Sequence, residues 1–245
     1  MSSSNRTAGP PLLKLDGVSK SFGGVRAVQN LDLEVFPGEL RCLIGPNGAG
    51  KSTVFKLIIG VEEPTSGEVW FDGEKISGLR PWKRVRKGMS IKMQIPNVYP
   101  ELSVYDNMRV AAQHHIDRAS IDREIHQLLE TVNLTAHLNS AAKNLSHGQQ
   151  QWLEIGMALS LRPKLLLLDE PTAGMGPAET RETAELIKKL HADGVTLIVI
   201  DHDMSFIRLI AEYVSVLHLG SLFAEGDLSE IEKNERVIQV YLGRE

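Results

Sequence analysis

The residues with the most evident chemistry are Gly45-Pro-Asn47-Gly48-Ala-Gly50-Lys51-Ser52. Their glycines let successive backbone N–H groups turn inward with no Cβ in the way, which makes a nest for phosphate oxygens. The loop follows the apolar run Leu40-Arg-Cys-Leu-Ile44 and precedes a segment that reads as a helix from Thr53 to Ile59. That helix start adds its orphan donors and positive dipole end. Lys51 is placed to reach the terminal phosphates as a point charge, and the Ser52 hydroxyl to ligate Mg²⁺. The candidate nucleotide contacts are therefore Gly45, Asn47, Gly48, Gly50, Lys51, Ser52 and Thr53. A glycine-rich turn that merely precedes a lysine would not need strand, loop and helix in that order. The sequence predicts a nucleoside triphosphate site.

Two further stretches carry chemistry. Leu165-Leu-Leu-Leu-Asp169-Glu170-Pro171 reads as a buried strand that ends in two acids. Open α/β sheets bind ligands at the carboxyl ends of their strands, so the acids are expected beside the glycine loop. Asp169 suits a Mg²⁺ contact through water, and Glu170 suits a base on the attacking water, an effect of roughly 10²–10⁴-fold in rate. The plain alternative is a pair of acids capping the next loop. Leu145-Ser146-His147-Gly148-Gln149 opens a helix expected to run through Ser160, with Ser146 and Gln149 as a capping box. That alone describes a well-made helix start. Gly148, however, weakens the first turn with no packing gain expected. The residues allow a second phosphate-binding helix end, approached closely by a large anion.

The elements that must position these groups follow from periodicity. Arg41 to Ile44, Leu165 to Leu168 and Val195 to Ile200 are near-continuous apolar runs, expected as parallel strands covered on both faces. Leu31-Asp-Leu-Glu-Val-Phe36 alternates instead and ends at Pro37-Gly38, which predicts a half-exposed antiparallel strand with a turn. Val69-Trp-Phe71 before Asp72-Gly73 continues that hairpin style. From about Pro96 to Leu161 no strand-like run occurs. There Ser103-Val-Tyr-Asp106 opens a helix through His114, and Ile121, Ile125, Leu128, Leu129 and Val132 predict another. The expected fold is an α/β P-loop NTPase core with an antiparallel β subdomain and an inserted helical subdomain, about residues 96–161. The length fits one large domain or two closely joined lobes, expected as a single domain over residues 12–245 behind a polar tail at 1–11.

Composition narrows the function classes. A formal net charge of −4 gives no general electrostatic reason to seek nucleic acid. The basic stretch Arg80-Pro-Trp-Lys83-Arg84-Val-Arg86-Lys87 is expected to be a solvated helix face rather than an anion-binding patch. Cys42, the single cysteine, is expected in the core and suits a reducing compartment. No apolar run approaches the roughly 18 residues needed to cross a bilayer, and the start has no apolar signal segment. A membrane role is expected only through a partner.

With all three motifs in view, the chain resembles the ATP-binding cassette (ABC) ATPases, whose signature is Leu-Ser-x-Gly-Gln, over nearly its whole length from about Leu12. The resemblance implies that Phe22, in Ser19-Lys-Ser-Phe22-Gly-Gly, stacks on adenine. It implies that Gln94 joins Mg²⁺ and the attacking water to the helical part, and that His202 contacts the γ-phosphate. Ser146, Gly148 and Gln149 would hold the ATP of an opposing chain. Within the family, Gln94-Ile-Pro-Asn-Val-Tyr-Pro-Glu-Leu-Ser-Val is similar to the ATPase subunits of bacterial importers for branched-chain amino acids and urea. Trp152 to Met157, Ala173 to Met175 and Arg236 to Gly243 look closest to the urea type. Gly176 departs from the Asp or Asn common in the loop after Asp-Glu-Pro, and Asp201 from the Glu common before the switch histidine.

What the resemblance implies is an ATP- and Mg²⁺-dependent subunit at the cytoplasmic face of the inner membrane. Its partners would be integral permease subunits, a second ATPase subunit arranged head-to-tail (identical or related) and, indirectly, a periplasmic binding protein. Asn97 to Tyr105 is the expected permease contact. A nucleic-acid-handling ABC ATPase is the alternative, but such chains usually carry long coiled-coil or metal-hook insertions or two cassettes. A silent cassette would lack some of Lys51, Asp169, Glu170 and His202, and all are present.

Overall fold

The computed structural model describes residues 9–93, 97–113 and 115–242. β1 (Leu13–Phe22) and β2 (Val25–Val35) form an antiparallel pair in which Leu13 faces Val35 and Leu15 faces Leu33. Both strands alternate, so Leu13, Leu15, Val18, Leu31, Leu33 and Val35 are buried while the residues between them meet solvent. β3 (Leu40–Ile44) then leaves this layer, and α1 (Lys51–Ile59) follows the glycine loop. β4 (Ser66–Phe71) pairs with the other edge of β1, and β5 (Glu74–Lys75) with β4, giving the antiparallel order β2-β1-β4-β5. The expected strand at Leu31 begins earlier, at Val25, because its first half is too exposed to show as an apolar run.

The segment after β5 corrects one expectation. α2 (Pro81–Arg86) carries the basic stretch, and Trp82 on it is exposed with Lys83 and Arg86 over its ring. Arg84, however, is fully buried. Its guanidinium donates to Leu57 O at 2.7 Å, Ile58 O at 2.8 Å and Leu79 O at 2.9 Å. Two of these are last-turn carbonyls of α1, which have no donors of their own within the helix. Burial lowers the Arg84 pKa to about 10, so the group stays charged at neutral pH. Arg84→Met should cost roughly 3 kcal/mol, since several acceptors lose a charged donor at once. Urea unfolding should show a lower midpoint with an unchanged slope, and an unmoved midpoint would exclude the capping role.

The central sheet is built from β6 (Met89–Lys92), β7 (Leu165–Asp169), β8 (Thr196–Ile200), β9 (Tyr213–His218) and β10 (Ser221–Asp227), in the order β10-β9-β3-β8-β7-β6. All neighbours are parallel except β9 and β10. Cys42, Leu166, Leu168, Leu197 and Val199 face one apolar core. Leu43, Leu165, Leu167, Ile198 and Ile200 face the other, with α1 and the antiparallel sheet. Coverage on both faces explains why these strands read as unbroken apolar runs. Burial pushes the Cys42 thiol well above its ordinary pKa, so it is a neutral core group. β6 escaped the sequence reading because Ser90 and Lys92 interrupt it, although both are buried.

Between β6 and β7 lie α3 (Val104–Ala112), α4 (Ile121–Thr131) and α5 (His147–Leu159). Ser103 caps α3 by accepting from Asp106 N at 3.0 Å. α3 ends at Ala112; His114 lies outside the described residues. The helices share an apolar core with the sheet and with α6 (Pro177–Ala192) and α7 (Met204–Ile210): Met108, Ile125, Leu129 and Leu153 belong to the same cluster as Leu168 and Phe206. α8 (Leu228–Ile231) and α9 (Glu235–Leu242) close the chain.

Candidate active site

The glycine loop is locked by backbone contacts on one side and open on the other. A Cβ on Gly45 would sit 2.3 Å from Leu217 O, and one on Gly50 would sit 2.4 Å from Ala27 O. Both residues have positive φ, +153° and +101°, so they are glycines for space and conformation alike. At Gly48, φ +80°, a Cβ would meet nothing within 4 Å. Lys51 is buried in the first turn of α1, and its ammonium donates to Gly45 O at 2.7 Å and Pro46 O at 3.0 Å. Burial lowers its pKa, opposed by the nearby charges of Glu170 and Asp169. Ser52, next along the turn, is exposed.

β3, β8 and β7 are adjacent and parallel, so the glycine loop, His202 and the pair Asp169–Glu170 emerge at one edge of the sheet. Asp169 carries a pKa raised to about 6, first by burial and then by Glu170. Glu170 holds a left-handed backbone, φ +46°, which is uncommon for a side chain of this kind. Its N–H donates to Ile200 O at 2.8 Å, which ties β7 to the end of β8. Its Oε1 lies 3.3 Å from His202 Nδ1.

Asp201 shows why this edge is rigid. Its buried carboxylate accepts from Thr172 Oγ1 at 2.7 Å, His202 N at 2.7 Å and Asp203 N at 3.0 Å. The residue before the histidine therefore orients both the histidine and the loop after Asp-Glu-Pro. The departure to Asp has a structural use: its short side chain turns back on its own following amides.

Lys92, at the end of β6, was not foreseen. It is fully buried and donates to Asp169 O at 3.1 Å and Glu170 O at 3.3 Å, fixing the backbone of both acids from behind. Glu154 of α5 faces the same interior. Burial raises its pKa to about 7, against the opposing charge of Lys92 and hydrogen bonds from the Asn97 and Met93 backbone. Charged residues inside apolar stretches, Met89-Ser-Ile-Lys92 and Trp152-Leu-Glu154-Ile, were the available signal.

Not every predicted residue joins this cluster. Ser146 is the N-cap of α5, with the expected capping box to Gln149. This helix start abuts the loop after Asp-Glu-Pro and the start of α6, not the glycine loop: Cβ atoms on Gly148 and Gly174 would meet Glu179 and His147 respectively. The expectation that Gly148 brings no packing gain is corrected here. The Glu179 carboxylate lies 2.8 Å from where a Gly148 Cβ would be, so the glycine gives this intrachain contact room and a Cβ would make the Glu179 side chain shift. Phe22 ends β1 as a 44% exposed ring with Lys20 Nζ 4.9 Å from its centroid. Gln94 lies outside the described residues.

A cradle of backbone donors with a buried lysine, beside paired acids and a histidine on adjacent strand ends, defines a nucleotide-hydrolysing P-loop protein. The comparisons agree. The family model described as ABC transporter matches residues 28–173. BraF of Pseudomonas aeruginosa, a high-affinity branched-chain amino acid transport ATP-binding protein, is 37% identical over 95% of this chain and 98% of its own length. LivG of Escherichia coli, of the same description, is 35% identical over the same shares. The ADP conformation of MJ1267, an ATP-binding cassette of an ABC transporter, superposes with a TM-score of 0.87 at 26% identity, covering 96% of this chain and all of that one. Dimeric MJ0796, a bacterial ABC transporter cassette, gives 0.79 at 28% identity over 88% and 98%. The chain belongs to the ABC transporter family, and it is an ATP-binding cassette ATPase. No helix among the described residues is long and apolar enough to cross a membrane.

Proposed function

We propose that this chain is the ATP-hydrolysing subunit of a membrane importer, seated on the cytoplasmic face of the inner membrane. It works as one cassette over residues 12–245, with residues 96–161 as its helical part and 1–11 as a tail. The observation that carries the reading is the separation of two phosphate-receiving loops in one chain. Lys51, Asp169, Glu170 and His202 gather at one sheet edge, whereas Ser146 and Gly148 sit against α6. One ATP serves both if two chains face each other head-to-tail, Lys51 and the glycine loop from one, Ser146, Gly148 and Gln149 from the other. A dimeric cassette is known for MJ0796.

In that arrangement Glu170 acts as base on the attacking water and His202 contacts the γ-phosphate, held by Asp201. Phe22 stacks on adenine, and Gly45, Asn47, Gly48, Gly50, Lys51, Ser52 and Thr53 receive the phosphates. One hydroxyl and one carboxylate, Ser52 and Asp169, with Gln94 as a third ligand, suit Mg²⁺, which keeps several waters in its shell. When bound, the ion neutralises charge on the phosphate oxygens. Asn97 to Tyr105 is the permease contact: Tyr99 is 52% exposed, and Asn107 braces the segment by accepting from Tyr99 N at 2.7 Å and donating to Tyr99 O at 3.0 Å. The imported solute is a branched-chain amino acid, as the names of BraF and LivG support, or urea or a short amide, as the Trp152–Met157 and Arg236–Gly243 stretches support. A binding protein outside the membrane delivers it.

The test is reconstitution with the permeases, companion ATPase and binding protein in vesicles, offered leucine or urea. ATP-dependent uptake of one solute, abolished by Lys51→Ala and separately by Ser146→Arg, is expected. Uptake insensitive to both substitutions would overturn the importer reading.

A further inference from the structure

Glu179 is the third residue of α6, and its carboxylate serves two loops at once. Oε2 accepts from Gly176 N at 3.1 Å, capping its own helix. Oε1 accepts from the Ser146 hydroxyl at 3.1 Å, across 33 residues of sequence. Gly148 leaves room for the carboxylate in this position: a Cβ there would lie 2.8 Å from Oε1 and 2.9 Å from the carboxyl carbon, and the Glu179 side chain would have to shift.

The proton count at Ser146 has a consequence. A hydroxyl has one proton to donate, and an ionised carboxylate can only accept. Ser146 Oγ already accepts from Gln149 N at 3.2 Å, so its proton is directed at Glu179. The start of α5 also has its partial positive charge matched by this carboxylate. A phosphate arriving at that helix start must therefore take the Ser146 proton away from Glu179 and then lie beside an anion.

We propose that Glu179 is a latch on Ser146: it competes with the γ-phosphate of the opposing chain and so sets the ATP concentration at which the two chains close. This rests on the reading of Ser146 as half of a shared site. No proton is transferred; the hydroxyl rotates from carboxylate to phosphate on closing. When hydrolysis removes the γ-phosphate, the hydroxyl returns to Glu179, and the restored hydrogen bond favours reopening. Glu179 is thus a positioning residue that acts through Ser146.

Glu179→Gln separates the latch from the helix cap. Gln is as good as Glu in a capping box, so α6 keeps its start while the charge is lost. Charged acceptors bind roughly twice as strongly as neutral ones. In the assembled transporter, with permeases and companion ATPase in vesicles, Glu179→Gln should lower KM for ATP by about tenfold without raising kcat, because closing is easier and reopening slower. Glu179→Ala, which removes the charge and both acceptors at the cost of the cap, should move KM the same way. An unchanged or higher KM in both variants, while Ser146→Arg stops turnover, would overturn the latch alone. Full turnover with Ser146→Arg would overturn the shared-site reading beneath it. An ordinary supporting role for Glu179 predicts a higher KM or a lower kcat at unchanged KM, the opposite of the latch.

Discussion

Glu170→Gln is expected to bind ATP as wild type does and to hydrolyse it roughly 10²–10⁴-fold more slowly. The structure separates the two effects. Binding rests on the glycine loop and on Lys51, whose ammonium is held by Gly45 O and Pro46 O. The place of residue 170 is fixed by its backbone: N–H to Ile200 O, and O to the Lys92 ammonium. Gln has the same shape and meets the same φ of +46°, so the amide will occupy the carboxylate's position. It cannot accept a proton from water at neutral pH, and it weakens the pairing with His202 Nδ1 at 3.3 Å. Single-turnover hydrolysis with ATP binding measured in parallel decides the matter. Wild-type hydrolysis by the variant would remove Glu170 as the base.

Lys51→Ala should act on the other term, weakening nucleotide binding about 10²-fold or more, because a polyphosphate loses a desolvated cation and its charge-assisted hydrogen bonds. The loop itself also suffers: Lys51 Nζ draws Gly45 O and Pro46 O together, and without it the amides at 47–53 lose a fixed orientation. Titration calorimetry with ATP should show the loss, while far-ultraviolet circular dichroism stays unchanged, since α1 keeps its apolar contacts through Val54, Phe55, Leu57 and Ile58. Affinity within twofold of wild type would mean the phosphates bind elsewhere.

How much of this was legible in the sequence depended on the range of the interaction concerned. The glycine loop, the Leu165–Glu170 strand end and the Ser146 capping box were readable because each is a local pattern. Their spacing dictates backbone conformation and side-chain reach within a few residues. The same holds for the alternating Leu31–Val35 strand and the α4 periodicity. The roles of Phe22, Gln94 and His202 came only from resemblance, since a lone aromatic, amide or histidine has no local pattern that reveals its partner.

What the sequence by itself determined, then, was the set of phosphate-binding and acidic motifs and the strand and helix periods that carry them. The strand order belonged to the tertiary structure, and with it the place of His202 on the strand between the glycine loop and the acids that were expected beside it. So did the buried cations. Arg84 read as one of several solvated charges until the fold placed it under the last turn of α1, and Lys92 carried no reading until it lay behind the two acids. Gly148 changed meaning for the same reason: its missing Cβ admits Glu179, a contact 31 residues away along the chain that closes only when α5 and α6 are packed on a common core. Sequence patterns reach a turn of helix or a neighbouring strand residue; a charge becomes a cap, a brace or a latch only when packing removes water around it and chooses its partner.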